Sequence, residues 1–271
     1  MRLHVVGLIF LASVAAAQAQ KFEVASVKKN PTGGARVSIE TPPGRFQATN
    51  TPLRFLIRWS YRIAEPRILD GPDWIAVDRF DVTATAPAEG WTGERARQMV
   101  RALLADRYGL VAHTETREMQ IYTLTVAKPG VFGELLRPAA VDCSAPDTPA
   151  RMGANGRVAC GLLVSQAAGS ASLRGGGQLM AEFARSLGEY VDRPLVDRTG
   201  LTARYDLELQ FTADRSALVG APPPGGLSAT VDSDIAPLPT ALLEQLGLRL
   251  EATRGPVEVL VIDRVSRPTE N

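Results

Sequence analysis

A repeated pattern constrains this chain more than any single residue. Arg79-Phe80-Asp81-Val82 leads into a helical stretch and then Tyr108-Gly109-Leu110, while Arg204-Tyr205-Asp206-Leu207 leads into a helical stretch and then Leu246-Gly247-Leu248. Upstream, Phe46 and Leu53-x-x-Leu56 answer to Leu173 and Met180-x-x-Phe183. Downstream, Ile121-Tyr122-Thr123-Leu124 answers to Val259-Leu260-Val261-Ile262 at the same distance from the Gly-Leu pair. Self-similarity of this extent marks one supersecondary unit used twice. The expectation is a tandem duplication, with halves at 20–137 and 173–271 and a connecting stretch at 138–172.

Within each half the pattern reads strand, helix, strand, strand, helix, strand, strand. Leu53, Leu56, Ile57 and Tyr61 form one helical stripe, and Val100, Leu103, Leu104 and Tyr108 a second that Gly109 ends. Met180, Phe183 and Leu187, then Leu242, Leu243 and Leu246 before Gly247, repeat the scheme. Phe80, Val82 and Ala84 alternate with polar residues, as do Tyr205, Leu207, Leu209 and Phe211, which is the period of a half-buried strand. Lys21 to Lys28 alternates too, with Phe22, Val24 and Ser26 on one face. The fold class expected is α+β, with helices on one face of mixed or antiparallel sheets. Pro31 to Gly44 reads as a turn-rich hairpin, and the Pro/Gly-rich insert at 212–239 as a surface loop that lengthens the second half.

The first residues carry a positive charge at Arg2, an apolar stretch from Val5 to Ala17 and a small-x-small site at Ala17-Gln18-Ala19. That is the form of a secretory signal peptide, with cleavage expected after Ala19. No later segment has the roughly 20 apolar residues a membrane helix needs, so a secreted or periplasmic protein is expected. The chain holds 30 Lys and Arg against 29 Asp and Glu, and losing Arg2 leaves the charges equal. An even balance gives no electrostatic case for nucleic acid. Cys143 and Cys160 are the two cysteines, and in an exported chain they are most simply one disulfide. Zinc would need more ligands than His113, the one histidine outside the leader, can supply.

Phe22-Glu23-Val24-Ala25-Ser26-Val27-Lys28, Gly71-Pro72-Asp73-Trp74, Leu103-Leu104-Ala105-Asp106-Arg107-Tyr108, Val196-Asp197-Arg198-Thr199-Gly200-Leu201-Thr202 and Gly255-Pro256-Val257-Glu258-Val259 resemble an uncharacterised family of exported proteins from soil bacteria. Lys29 stands where that family usually has proline, which affects the exit from the first strand. The resemblance supplies no established activity. Members fused to sensor-type membrane metallopeptidases imply sensing or binding at the cell surface. Each half is also similar, more loosely, to the short N-terminal domain of secretins and TonB-dependent receptors, which binds protein partners.

The search for chemistry yields no reaction centre. A serine or cysteine nucleophile needs a histidine base, and His113 sits on a strand at the place Glu251 takes in the second half. Asp70, Asp73, Asp78 and Asp81 form the densest carboxylate run, without EF-hand spacing. Trp59, Trp74 and Trp91 could stack on sugar or simply pack. Gly175-Gly176-Gly177 lacks the Lys-Ser or Lys-Thr of a phosphate loop and reads as a flexible entry to a helix. Asn50-Thr51-Pro52, at the matching place, reads as a helix start capped by Asn50 or Thr51. The recurring pairs Arg79/Asp81 and Arg204/Asp206 each share a strand face, either tying the strand to an adjacent turn or lining a polar groove between the halves. No catalytic residue, cofactor or metal is assigned. The function expected is a binding or interaction module for a protein, peptide or glycan. The rivals are a hydrolase working through carboxylates and a small-ligand protein using the cleft between halves.

Overall fold

The computed structural model describes residues 21–32, 36–143, 151–153, 156–167, 169–213 and 235–268. The leader and most of the 212–239 insert lie outside the described residues. Among the described residues, three sheets make up the α+β fold. The first runs in the order β1 (Val24–Lys29), β5 (Arg79–Thr85), β3 (Arg45–Pro52), β2 (Ser38–Glu40). The second runs β7 (Leu136–Pro138), β12 (Arg204–Thr212), β10 (Ser170–Leu179), β9 (Val158–Ala167), β8 (Arg151–Met152). The stretch expected to be a connection, 138–172, therefore supplies β8, β9 and the start of β10.

Helices cover these sheets as the apolar stripes require. On α1 (Leu53–Tyr61), Leu53, Leu56 and Ile57 are buried, and on α4 (Met180–Leu187), Met180, Phe183 and Leu187 are. α3 (Gly93–Tyr108) starts where the Thr92 hydroxyl accepts the Arg95 amide at 3.1 Å and stops at Gly109, whose φ is 57°. Its counterpart is shorter, a turn of helix α5 (Leu238–Ala241) running into a wider turn at Leu242–Leu246, and Leu243 faces solvent. The four-residue helix α2 (Trp74–Val77) lies before β5. On β1 the inward residue is Val27, while Val24 is 67% exposed, so the face is the opposite of the one its alternation suggested.

Each half ends not on two short strands but on one long one. β6 (Val111–Val126) and β13 (Leu248–Arg264) pair antiparallel from Val126↔Leu248 to Val111↔Arg264. Short strands complete this third sheet crosswise. β4 (Ile68–Leu69), from the first half, lies parallel to β13 through Ile68↔Leu260, and β11 (Leu195–Asp197), from the second, lies parallel to β6 through Leu195↔Tyr122. The cores are consequently interlocked. Leu260 and Ile262 of β13 belong to the cluster around Phe46, Leu56 and Phe80, and Leu124 of β6 belongs to the cluster around Phe183, Leu207 and Phe211.

A half separated from its partner would leave such a core open, and small cores have little stability to spare. Residues 20–137 produced alone should show no cooperative unfolding transition, and mixing in 138–271 should restore one, as followed by circular dichroism in denaturant.

Candidate ligand cleft

The Arg/Asp pairs do not meet in one groove. Each pair belongs to its own sheet, where its aspartate serves a bulge. In β3 the register with β5 shifts between Ala48 and Thr51, and Asn50 adopts φ 53°. In β10 the register with β12 shifts between Gly175 and Gln178, and Gly177 adopts φ 61°. The bulge turns an amide out of the ladder, and a carboxylate on the neighbouring strand accepts it. Asp81 Oδ1 takes the Asn50 N–H at 2.8 Å and the Asn30 amide at 2.8 Å. Asp206 Oδ1 takes the Gly177 N–H at 2.9 Å, and Arg204 donates to the Gly177 carbonyl at 2.8 Å. Arg79 borders the large cleft described below, and Asp206 a smaller cavity of about 440 Å³.

These bulges also correct two expectations. Gly175-Gly176-Gly177 is strand, not a flexible entry, and Asn50-Thr51 continues β3 instead of capping α1. The glycine is required by space as well as by φ. A Cβ on Gly177 would stand 2.5 Å from Cys143 Sγ, because the Cys143–Cys160 disulfide (Cα atoms 5.6 Å apart) crosses over the bulge.

The other singled-out residues disperse. Among the described residues, no group of three or more His, Cys, Asp or Glu could hold a metal. Asp78 pairs with Lys29 and Arg267, and Asp70 adopts φ 61° beside Gly71. Trp59 packs on Phe46 at 5.4 Å, Trp74 stands edge-on to Phe80 at 6.4 Å, and the Trp91 indole donates to the Thr41 carbonyl. His113 Nδ1 lies 2.9 Å from Asp263, which raises the imidazole pKa above its ordinary value.

A cleft of about 1930 Å³ lies between the halves; Trp59, Asp73 and Arg79, singled out in the sequence, line it, while most of its wall, Arg54, Arg58, Arg185 and Glu189 among it, was not. Its floor is the middle of the β6–β13 ladder (Glu118, Met119, Gln120 and Arg254), and its sides come from α1 on one half and α4 with the following turn on the other. Eight arginines and five carboxylates line it, beside Phe55, Trp59 and Tyr190. On a chain with a net charge of +1, that is a local concentration of positive charge. Arg58 crosses the cleft to pair with Glu189 at 2.5 Å, Arg54 pairs with Glu65, and Arg67 donates to the Leu195 carbonyl at 2.7 Å. Burial raises the Glu189 carboxyl's pKa; Arg58 opposes the rise and Glu65 adds to it. Among the described residues, Arg62, Arg185 and Arg254 form no ion pair within 4 Å.

An α+β fold with two sheets sharing a crossed ladder, and a cationic cleft over that ladder, is the class of protein these features define. The chain belongs to the family described as protein of unknown function (DUF3738), which matches residues 54–265 and so takes in the ladder and both walls of the cleft. No curated protein and no solved structure matches it.

Removing the carboxylate that closes either bulge would leave a turned-out amide without its partner, a loss of about 1–3 kcal/mol. Asp81→Ala and Asp206→Ala should each lower unfolding free energy by about that much, and the double variant by about the sum, since the sites share no partner. Urea denaturation measures all three.

Proposed function

We propose that this chain is an exported, non-catalytic binding module that receives an extended peptide segment of a protein partner in the cleft between its halves. The cleft's size carries the reading. At about 1930 Å³ it exceeds the roughly 300–1,000 Å³ typical of small-molecule sites. Its lining of aromatic rings and guanidiniums suits a polypeptide, which offers apolar side chains and polar groups along its length. Export is supported by the leader-like first 19 residues and by the Cys143–Cys160 disulfide, which persists best in oxidising compartments.

A second reading, hydrolysis through carboxylates, draws on Glu189, whose raised pKa beside Glu65 is the profile of a general acid. Both groups are tied to arginines, Glu189 to Arg58 and Glu65 to Arg54, which fix their carboxylates in place. That favours a structural task for the two.

Val164 lines the cleft and is 49% exposed, so a tryptophan there fills space without disturbing a core. With a mixed pool of hexapeptides, amide NMR signals of Met119, Gln120 and Tyr190 should shift in the parent protein and stay put in Val164→Trp. Unchanged signals in the parent, or equal shifts in the variant, contradict the reading. Peptide fragments released by the parent and not by Glu189→Gln would replace binding with hydrolysis.

A further inference from the structure

The two walls of the cleft share one spacing from the start of their helices to the short strands that follow. Leu53 and Met180 open α1 and α4 straight after strands of matching register, Pro52↔Arg79 and Leu179↔Arg204. The match extends without a gap to β4 and β11, where Ile68 and Leu195 meet β13 and β6. Counted from those first residues, Arg58 corresponds to Arg185 and Arg62 to Glu189, although Arg62 is the left-handed residue that ends α1 and Glu189 lies within the helical turn Gly188–Tyr190. The ion pair Arg58–Glu189 crosses the cleft in one sense. Its counterpart in the other sense would join Arg185 to residue 62, and residue 62 is an arginine. One wall thus has a guanidinium facing a carboxylate, and the matching position has two guanidiniums with the carboxylate missing.

The electrostatics agree with that count. Arg185 and Arg62 both line the cleft as exposed side chains; partial desolvation together with repulsion from Arg62, Arg67 and Arg97 puts the Arg185 pKa below the ordinary guanidinium value, with Glu182 opposing. Arg97 is engaged with Glu94 and lies over the Trp59 ring at 5.8 Å, which leaves Arg62 and Arg185 as the pair without an anion. Two guanidiniums offer planar forks suited to one carboxylate, and such charge-assisted bonds are about twice as strong as neutral ones.

We propose that Arg62 and Arg185 recognise a carboxylate side chain of an acidic peptide lying in the cleft, which takes the place Glu189 holds against Arg58 on the opposite side. The Arg58–Glu189 pair shows that this geometry accepts a carboxylate. The volume of the cleft, about 1930 Å³, favours a peptide over a free anion as its carrier. The proposal rests on the cleft being the ligand site and adds the chemistry of the ligand.

Binding of a fluorescent, end-blocked hexaglutamate peptide tests it, with hexaserine, glutarate and inorganic phosphate for comparison. The parent protein should bind hexaglutamate in preference to hexaserine, and glutarate and phosphate should compete weakly. Arg62→Glu should weaken hexaglutamate about tenfold or more while raising the melting temperature, because the new carboxylate pairs with Arg185. Arg249→Glu, outside the cleft lining, should bind as the parent does. If Arg62→Glu binds hexaglutamate as the parent does while Val164→Trp does not, the cleft stands as a ligand site and the carboxylate proposal falls. If neither hexapeptide binds and neither moves cleft signals, both fall. If phosphate displaces hexaglutamate at equal concentration, the site recognises free oxyanions, and the peptide assignment is overturned.

Discussion

The antiparallel pairing of β6 with β13 is the constraint on which the other features depend. Each strand begins over one core and ends in the other, as Ala112 and Leu124 do on β6 and Leu248 and Leu260 do on β13. A third cluster of Ile121, Val257, Val259 and Val261 sits on the ladder itself. Because β4 and β11 add to the strand of the opposite half, the turns that precede them are pulled across the molecule. Arg67 meets the Leu195 carbonyl there, and Arg58 meets Glu189. The cleft is the space these crossings leave above the middle of the ladder, so its walls are held by backbone pairing more than by side chains.

Matching positions in the two walls then divide into two kinds. Some keep the same task on both sides: the bulged strand, the left-handed residue within it and the aspartate that accepts its amide recur as Asn50 with Asp81 and Gly177 with Asp206. Their recurrence is explained by what a strand must do to pass into a helix at that angle. Others differ, and packing does not account for the difference. Glu189 and Arg62 stand at the same count along the two walls with opposite charges, and among the described residues Glu189 completes an ion pair and Arg62 does not. Architecture explains the first kind, and the second is the kind on which the proposed carboxylate site rests.

Much of this was legible in the residues. The stripes at Leu53, Leu56 and Ile57 and at Met180, Phe183 and Leu187 marked helices because burial in a helix follows its turn, and the alternation in β5 and β12 marked strands for the corresponding reason. The partner of a strand is a different matter. Alternation in β6 and β13 says that each has an inner face, but nothing in either says that they pair with each other across the halves. The run at Gly175 to Gly177 looked flexible because composition does not reveal that Val158 and Cys143 press against it. Alternation on β1 was misassigned by one residue, since Val24 sits at the strand's exposed start. The charge difference between Arg62 and Glu189 emerges only on counting from Leu53 and Met180 once the helices are placed. Its meaning needed the cleft.

Native-state hydrogen exchange of the amides in β6 and β13 tests the shared ladder most directly. If each core is completed by the other half's strand, interior amides around Leu124 and Leu260 exchange only through global unfolding. They should then give one free energy, with one denaturant dependence, for both strands. Two separate free energies, with the amides near one core opening while those near the other stay protected, would contradict the account.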